Sequence, residues 1–315
     1  KGRAMPAYAV LARLSADVWP EFSAELEGVT GQPVYYQKPG GLTLCLSEAE
    51  VEERAALIRG MHDQQGPKGS DCAMLDRKAV REMLPHAGPA VMGASYCPHD
   101  GHTSPLHLLR SLHTAITKAG NDYLPEHRIE SLQGLPGGGF RVAAGGKAFG
   151  AGKVVLAAGL GNPELGMHLP IRPQRGQILV TERLPAMIHF PMNGVRQTAE
   201  GSVMLGSSQE EVGFDNGTSV DVLSRIASRA VRAFPILARA NLVRTWGALR
   251  VLAPDEFPIY LEAPDHPGAF VATCHSGVSL AGAHALRYAA YVAEGKLPAE
   301  LEPLHVRRFD VQAAA

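Results

Sequence analysis

Apolar residues recur at steps of three and four at Leu11, Leu14, Val18, Phe22 and Leu26, which puts them on one helix face and predicts a helix ending at Gly28. The pattern then turns to alternation: 34–36, the turn Lys38-Pro39-Gly40-Gly41 and 42–46 predict a hairpin. Ser47 and Glu50 form a capping box that opens a helix through about Met61. Asp76 can cap a short helix to Leu84, stopped by Pro85. Ser104 and Pro105 supply a cap and a first-turn proline for a helix to Gly120, with Leu106, Leu109, Leu112 and Ile116 on its buried side.

Strand signals follow at 128–133, 140–144 and 153–158, joined by glycine-rich turns. The last is nearly continuously apolar, as an interior strand would be. Short strands at 177–181, 194–198 and 202–205 predict an antiparallel region. Thr218 and Asp221 cap a helix to Phe234, and strands are expected at 242–246, 259–261 and 269–273. The segment 276–294 predicts a small-residue helix that starts at Gly277, directly after a strand, which is a place where cofactors bind. The tail 310–315 is expected to fray.

Composition narrows the class. A chain of 315 residues suggests about two domains at roughly 150 residues each. With 30 Lys plus Arg against 31 Asp plus Glu there is no long-range field for nucleic acid or an anionic membrane. Cys45, Cys72, Cys97 and Cys274 lie far apart with no CxxC pair, which argues against a disulfide framework or an iron-sulfur site and for a cytoplasmic protein. No apolar run approaches a membrane span. The chain starts at Lys1 without the apolar stretch of a secretory signal, so an upstream segment is expected to have been removed or never included.

Several constellations invite chemistry. Cys97, His99, His102, His107 and His113 are poorly spaced for a metal, because His107 and His113 lie on different faces of their helix. Gly159-Leu160-Gly161 follows an apolar strand, but Glu164 stands where GxGxxG needs its third glycine; Asn162 and Pro163 read as a helix cap and first position. Cys274 beside His275 could be a nucleophile and base, or a buried thiol at a strand end. Arg250, ending an apolar strand, needs an anionic partner, either Asp255 or Glu256 or a substrate carboxylate.

Taken in order, Asp100-Gly101 with Pro105, KVVLAAG at 153–159, PIRPQRGQIL at 170–179, 201–206, WGALR at 246–250, Pro254-Asp255 with Pro258, and ATCHSGVSL at 272–280 resemble the flavin-dependent D-amino acid oxidase family. That family includes glycine oxidase, sarcosine oxidase and subunits of hydrogen cyanide synthase and of opine or hydroxyproline dehydrogenases. The resemblance implies an α/β plus α+β fold: a Rossmann-like FAD-binding domain whose N-terminal βαβ unit, with GxGxxG, is missing, and an antiparallel-sheet substrate domain. The FAD-binding domain would comprise 1–19, 98–168 and 246–300, the substrate domain 20–97 and 169–245, with 301–315 a tail.

The resemblance assigns Arg250 to the substrate carboxylate. It assigns His275, Gly277, Val278, Ser279 and Leu280 to the flavin, Ile129 to the adenine, and Ala158 with Gly159 to a turn against the cofactor. Arg175 and Gly176 sit in the crossing to the substrate domain. It implies no acid-base side chain and no metal. FAD would be non-covalent, since Ala248 stands near the position where some sarcosine oxidases carry a tethering cysteine. Cys274 replaces a usual glycine and Val251 a proline. The implied activity is oxidation of the C–N bond of a small amino or imino acid by hydride transfer to flavin. The alternative is a truncated or non-catalytic subunit that depends on another chain for its cofactor. Its partners would be a carboxylate-bearing amine and a partner subunit or electron acceptor.

Overall fold

The computed structural model describes residues 5–65, 71–163, 166, 168–264 and 266–314. In chain order the elements are α1 (Pro6–Thr30), β1 (Gly41–Cys45), α2 (Glu48–Gln65), β2 (Ala73–Asp76), α3 (Arg77–Met83), β3 (Gly93–Cys97) and α4 (Pro105–Lys118). There follow β4 (Ile129–Gly134), β5 (Phe140–Ala144), β6 (Lys147–Ala151), β7 (Val154–Leu156), β8 (Arg172–Arg183), β9 (Val195–Gln197) and β10 (Ser202–Gly206). The chain continues with α5 (Val220–Ala233), β11 (Leu242–Leu252), β12 (Ile259–Glu262) and β13 (Ala269–Thr273). Helical turns over 281–294 and 3-10 helices Ala299–Leu304 and Val306–Ala314 complete it. Two compact units result: Lys1–Pro6, Val34–His107 and Gln174–Leu249 form one, and Ala7–Pro33, Leu108–Pro173 and Arg250–Ala315 the other.

In the first unit, strands run in the orders β1-β3-β2 and β11-β8-β10-β9. A bridge from Leu42 to Met192 joins the two sets, and buried positions alternate along β9 and β10. Leu42, Leu44, Leu179, Val203 and Leu205 pack with Val80, Leu84, Ala230 and Phe234 in one core. The expected hairpin 34–46 does not form. Tyr35 takes φ +53 and Gln37 bridges His102 instead, so β1 pairs with β3, a partner far along the chain. Asp76 caps α3 as expected, accepting from Ala79 N at 2.8 Å. The capping box is only half made: Glu50 N donates to Ser47 Oγ at 3.2 Å, but the Glu50 carboxylate accepts from Leu46 N and is held by Arg229. At α5 the cap position is Ser219 rather than Thr218 or Asp221, and its backbone N donates to Gln177 Oε1.

In the second unit, β13 lies between β12, antiparallel, and β7, parallel. The antiparallel meander β4-β5-β6 packs through Phe140 on a core of Leu156, Ile259, Leu261, Ala269 and Val271. Strand β6 was not expected, because the small residues of Lys147–Ala151 carry almost no β signal; register against β5 creates it. Contrary to the interior-strand expectation, β7 is an edge of this sheet and Val155 is 48% exposed. Helix α1 passes through Gly28 and stops at Gly31, whose φ of +69 suits a helix terminus.

The buried side of α4 is Leu108 and Ser111, whereas Leu106 and Leu109 are 79% and 51% exposed. Two apolar stripes share this helix, and packing chose the one that sequence spacing did not favour. The expected helix start at Gly277 is a turn, and helix begins at Ala281, with a π turn over His284–Tyr288. Ahead of the segment expected to fray, Leu301 and Leu304 are buried, and Arg308 grips Asp255 at 2.7 and 3.0 Å. Residues 20–33 stay with the second unit because α1 is unbroken there, and 98–107 with the first through Gln37–His102 and Thr103 Oγ1 to Val34 O. Strand β11 remains in the first unit as far as Leu249. No described helix is long and apolar enough to cross a membrane.

Candidate functional site at the ends of two parallel strands

Because β7 and β13 are parallel and in register from Val154↔Ala269 to Leu156↔Val271, their carboxyl ends emerge at one sheet edge. In open α/β sheets that edge is where ligands bind. After β7 comes Ala158, exposed, then Gly159 at φ +56, opening a 3-10 turn. After β13 come Cys274 to Leu280. Asn162, fully buried, ties the two exits together: its Oδ1 accepts from Ala158 N at 3.0 Å and its Nδ2 donates to Thr273 Oγ1 at 2.6 Å. Asn162, expected to cap a helix, is therefore an inter-strand clamp; residues 164, 165 and 167 of that expected helix lie outside the described residues.

Arg250, at intermediate burial near the end of β11, reaches the same edge through its neighbour. A Cβ added at Gly159 would stand 3.1 Å from Val251 Cγ2. One structural partner proposed for Arg250, Asp255, is engaged by Arg308. His275 is exposed as a residue, yet partial burial and then the Arg250 guanidinium hold its imidazole below the ordinary value, against the pull of Glu256. Neutral His275 leaves the positive charge of this edge concentrated on Arg250.

The turn 276–280 is fixed from below and bare above. Ser279 O accepts from Ser15 Oγ at 2.7 Å and from Trp19 Nε1 at 3.1 Å, and Ser276 Oγ lies 3.1 Å from the Tyr8 hydroxyl, so α1 anchors the turn. Leu280 is fully buried beneath it. Above, Gly277, Val278 and Ser279 are exposed, and a Cβ on Gly277 would meet open space. Burial pushes the Cys274 thiol up to about 11, with the Ser276 backbone amide opposing, so the sulfur is a protonated thiol and not a nucleophile. Tyr260 Oη and His284 Nε2 meet at 2.7 Å under this edge, and burial holds His284 below its usual range.

Arg250, His275, Gly277 to Leu280, Ala158 and Gly159 are thus associated with one edge. Ile129 is not among them: it starts β4, in the other sheet of this unit, opposite Ala144. Arg175 and Gly176 are buried in the first unit, where Glu210 at 2.8 Å and Asp215 at 2.5 Å hold Arg175. The histidines of the 97–113 run part company: His99 bonds Asp71, His107 meets Ser104 Oγ at 2.8 Å and His113 stacks on Tyr123. Sequence reasoning missed the anchors Ser15, Trp19 and Tyr8, whose polar atoms carry no signal inside an amphipathic helix.

Residues 2–291 match the model of the family described as DAO, FAD dependent oxidoreductase. An opine oxidase subunit of Agrobacterium tumefaciens (strain Ach5) is 37% identical over 320 residues, covering 100% of this chain and 85% of that protein. The HcnC subunit of hydrogen cyanide synthase from Pseudomonas aeruginosa is 28% identical, covering 98% of this chain and 76% of that one. Among solved structures, glycine oxidase from Geobacillus kaustophilus superposes with a TM-score of 0.86 at 24% identity, over 97% of this chain and 84% of that one.

Proposed function

Because the chain belongs to the DAO family of FAD-dependent oxidoreductases, we propose that it oxidises the C–N bond of a small amino or imino acid whose carboxylate Arg250 holds. The observation that carries this reading is the position of Arg250, one residue from the side chain that packs on Gly159 and near enough to His275, just before the bare turn 277–279, for its charge to act on that imidazole. The residues suit a flat aromatic cofactor. Exposed Val155, Ala158 and Val278 offer apolar surface to cover, and Gly277 lets a ring system approach the backbone. We assign the second unit to the cofactor and the first to the substrate, with FAD bound non-covalently and Ile129 at its adenine end.

Bound FAD would supply the two-electron acceptor for the substrate α-hydride. Arg250 contributes orientation: a planar guanidinium grips a carboxylate at two points and so fixes the α-carbon beside it. Amides of 277–279, ahead of the helical turns over 281–294, favour negative charge at the turn. Neutral His275 keeps Arg250 the principal anion hook, and the protonated Cys274 thiol adds no competing nucleophile. No acid-base side chain is assigned, in keeping with chemistry that depends on positioning.

Glycine, D-amino acids, N-substituted glycines and proline-like acids form the substrate class. The likeness to an opine oxidase subunit puts N-carboxyalkyl amino acids first. Anaerobic bleaching of the flavin absorbance by each candidate reads the reaction. Arg250→Gln should raise KM for carboxylate substrates about 10- to 100-fold, with a smaller change in kcat, since a charge-assisted pair contributes about 1.5–3 kcal/mol. Amines without a carboxylate should be indifferent to the change. Equal KM values in wild type and variant for the acids would sink the assignment.

A second reading is favoured by two relatives named as subunits. In it the chain works with a partner subunit that completes cofactor binding or accepts electrons. Visible spectra of the chain alone and co-expressed with such a partner distinguish the two. Four free cysteines support a cytoplasmic location.

A further inference from the structure

The first unit holds a cavity of about 390 Å³ that the activity above does not use. Its walls are Tyr35, Gln37 and His102 on one side, and Ile188, Arg196 and Glu200 on the other. The walls are preorganised. Buried Gln197 accepts from the backbone N–H groups of Met187 and Ile188 at 2.9 and 3.0 Å and donates to the carbonyls of Pro185 and Gly201 at 2.9 and 3.0 Å, which fixes the 184–201 side. Opposite, the Gln37–His102 bridge and Thr103 Oγ1 to Val34 O at 2.6 Å fix the other side. Tyr35 at φ +53 is a non-glycine residue in a disfavoured conformation, of the kind that gathers at functional sites.

Among the described residues, three buried polar atoms of the residues in this lining have no hydrogen-bond partner: Arg196 Nε, His102 Nε2 and Thr198 Oγ1. Arg196 donates through Nη1 to the carbonyl of Thr103, so its direct hydrogen bond goes to a neutral acceptor, while Glu200 acts on it only through its field. Burial and the nearby guanidinium keep His102 neutral. A guanidinium set into a cavity wall, with an N–H directed at no protein acceptor, is the group that recognises oxyanions in proteins.

We propose that this cavity is a second ligand site, which takes a small molecule bearing a compact oxyanion, a phosphate or a carboxylate, on Arg196 with His102 beside it. The site requires nothing of Arg250 or of flavin chemistry, so its failure leaves the oxidase reading untouched.

Isothermal titration calorimetry on the full chain tests it, with inorganic phosphate in one arm and acetate in the other. Saturable binding is expected in wild type. Arg196→Gln should weaken it by about tenfold or more, the effect of losing one charge-assisted bond, while Arg250→Gln, which removes the proposed hook for substrate carboxylates, leaves phosphate binding unchanged. Binding of phosphate alone assigns a phosphate ester, and binding of acetate alone a carboxylate. Thermal melting guards against misfolding: the anion that binds should raise the wild-type melting temperature. If Arg196→Gln does not fold, Arg196→Lys and His102→Asn are read instead, and both should weaken binding. No saturable heat from either anion would overturn the proposal, as would binding lost in Arg250→Gln but kept in the Arg196 and His102 variants.

Discussion

Asn162 offers a direct test of how the candidate site is held. Its side chain is fully buried and spans the exits of β7 and β13, accepting from Ala158 N at 3.0 Å and donating to Thr273 Oγ1 at 2.6 Å. Asn162→Ala removes both bonds. The amide of exposed Ala158 can turn to water, which limits that loss to about 0.5–1.5 kcal/mol. Thr273 is 3% exposed, so its orphaned hydroxyl costs about 1–3 kcal/mol more. The expected total is about 1.5–4.5 kcal/mol. Thr273→Val should cost less than Asn162→Ala, and the double variant less than the sum, with a coupling of about 1 kcal/mol.

Urea unfolding followed by the fluorescence of Trp19 measures this in the right place. Trp19 is buried in the second unit and donates to Ser279 O, within the turn that Asn162 helps align. A Trp246→Phe background removes the other tryptophan, in the first unit. Flavin content at saturation should fall in parallel, since the two exits lose their common clamp. An unfolding midpoint unchanged by Asn162→Ala, or strict additivity with Thr273→Val, would refute the clamp.

Three further outcomes follow from local geometry. Hydrogen bonds from Arg229 hold the Glu50 carboxyl at about 2, below its usual 4.5, so the stabilisation is complete above about 4.5 and is lost as pH falls toward 2. Glu50→Gln should flatten the dependence of stability on pH in that window, by less than about 1 kcal/mol because both groups are substantially exposed; an unaltered slope refutes the pairing. Cys274, with its thiol pushed up to about 11, should be alkylated at pH 8 about tenfold or more slowly than a free thiol, and peptide mapping that finds it fully labelled at the free rate contradicts its burial. Gly201 sits at φ +100 with Leu184 O only 2.7 Å from a would-be Cβ, so Gly201→Ala should destabilise by about 1–3 kcal/mol in thermal melts; a neutral result means the turn relaxes freely.

Elements with a strong local signal are legible in the amino-acid order alone. The α1 periodicity, the Asp76 cap and the strands at Phe140–Ala144 and Ala269–Thr273 appear where spacing and capping put them. The candidate site is legible only in part. Gly159 and Gly277 stand out as glycines directly after apolar strands and Arg250 as a charge at a strand end, while Ala158 and His275 enter only through the family resemblance. Asn162, Ser15, Trp19 and Tyr8 are not visible as site builders, because a polar atom that meets its partner 111 to 268 residues away leaves no local pattern.

What the sequence determines by itself is the set of local choices: which stretches are helical or extended, where glycine permits a turn, and which family's succession of motifs the chain follows. Those choices depend on φ and ψ preferences and on the period of apolar residues, both of which are written within a few residues. Tertiary structure decided the rest. It paired β1 with β3 rather than with its neighbour, made a strand of Lys147–Ala151, and buried Leu108 while leaving Leu106 and Leu109 at the surface. It also engaged Asp255 with Arg308 and, among the described residues, left the buried Arg196 Nε without a partner. Each of these depends on which distant surface supplies the contact, and that is fixed only when the whole chain closes.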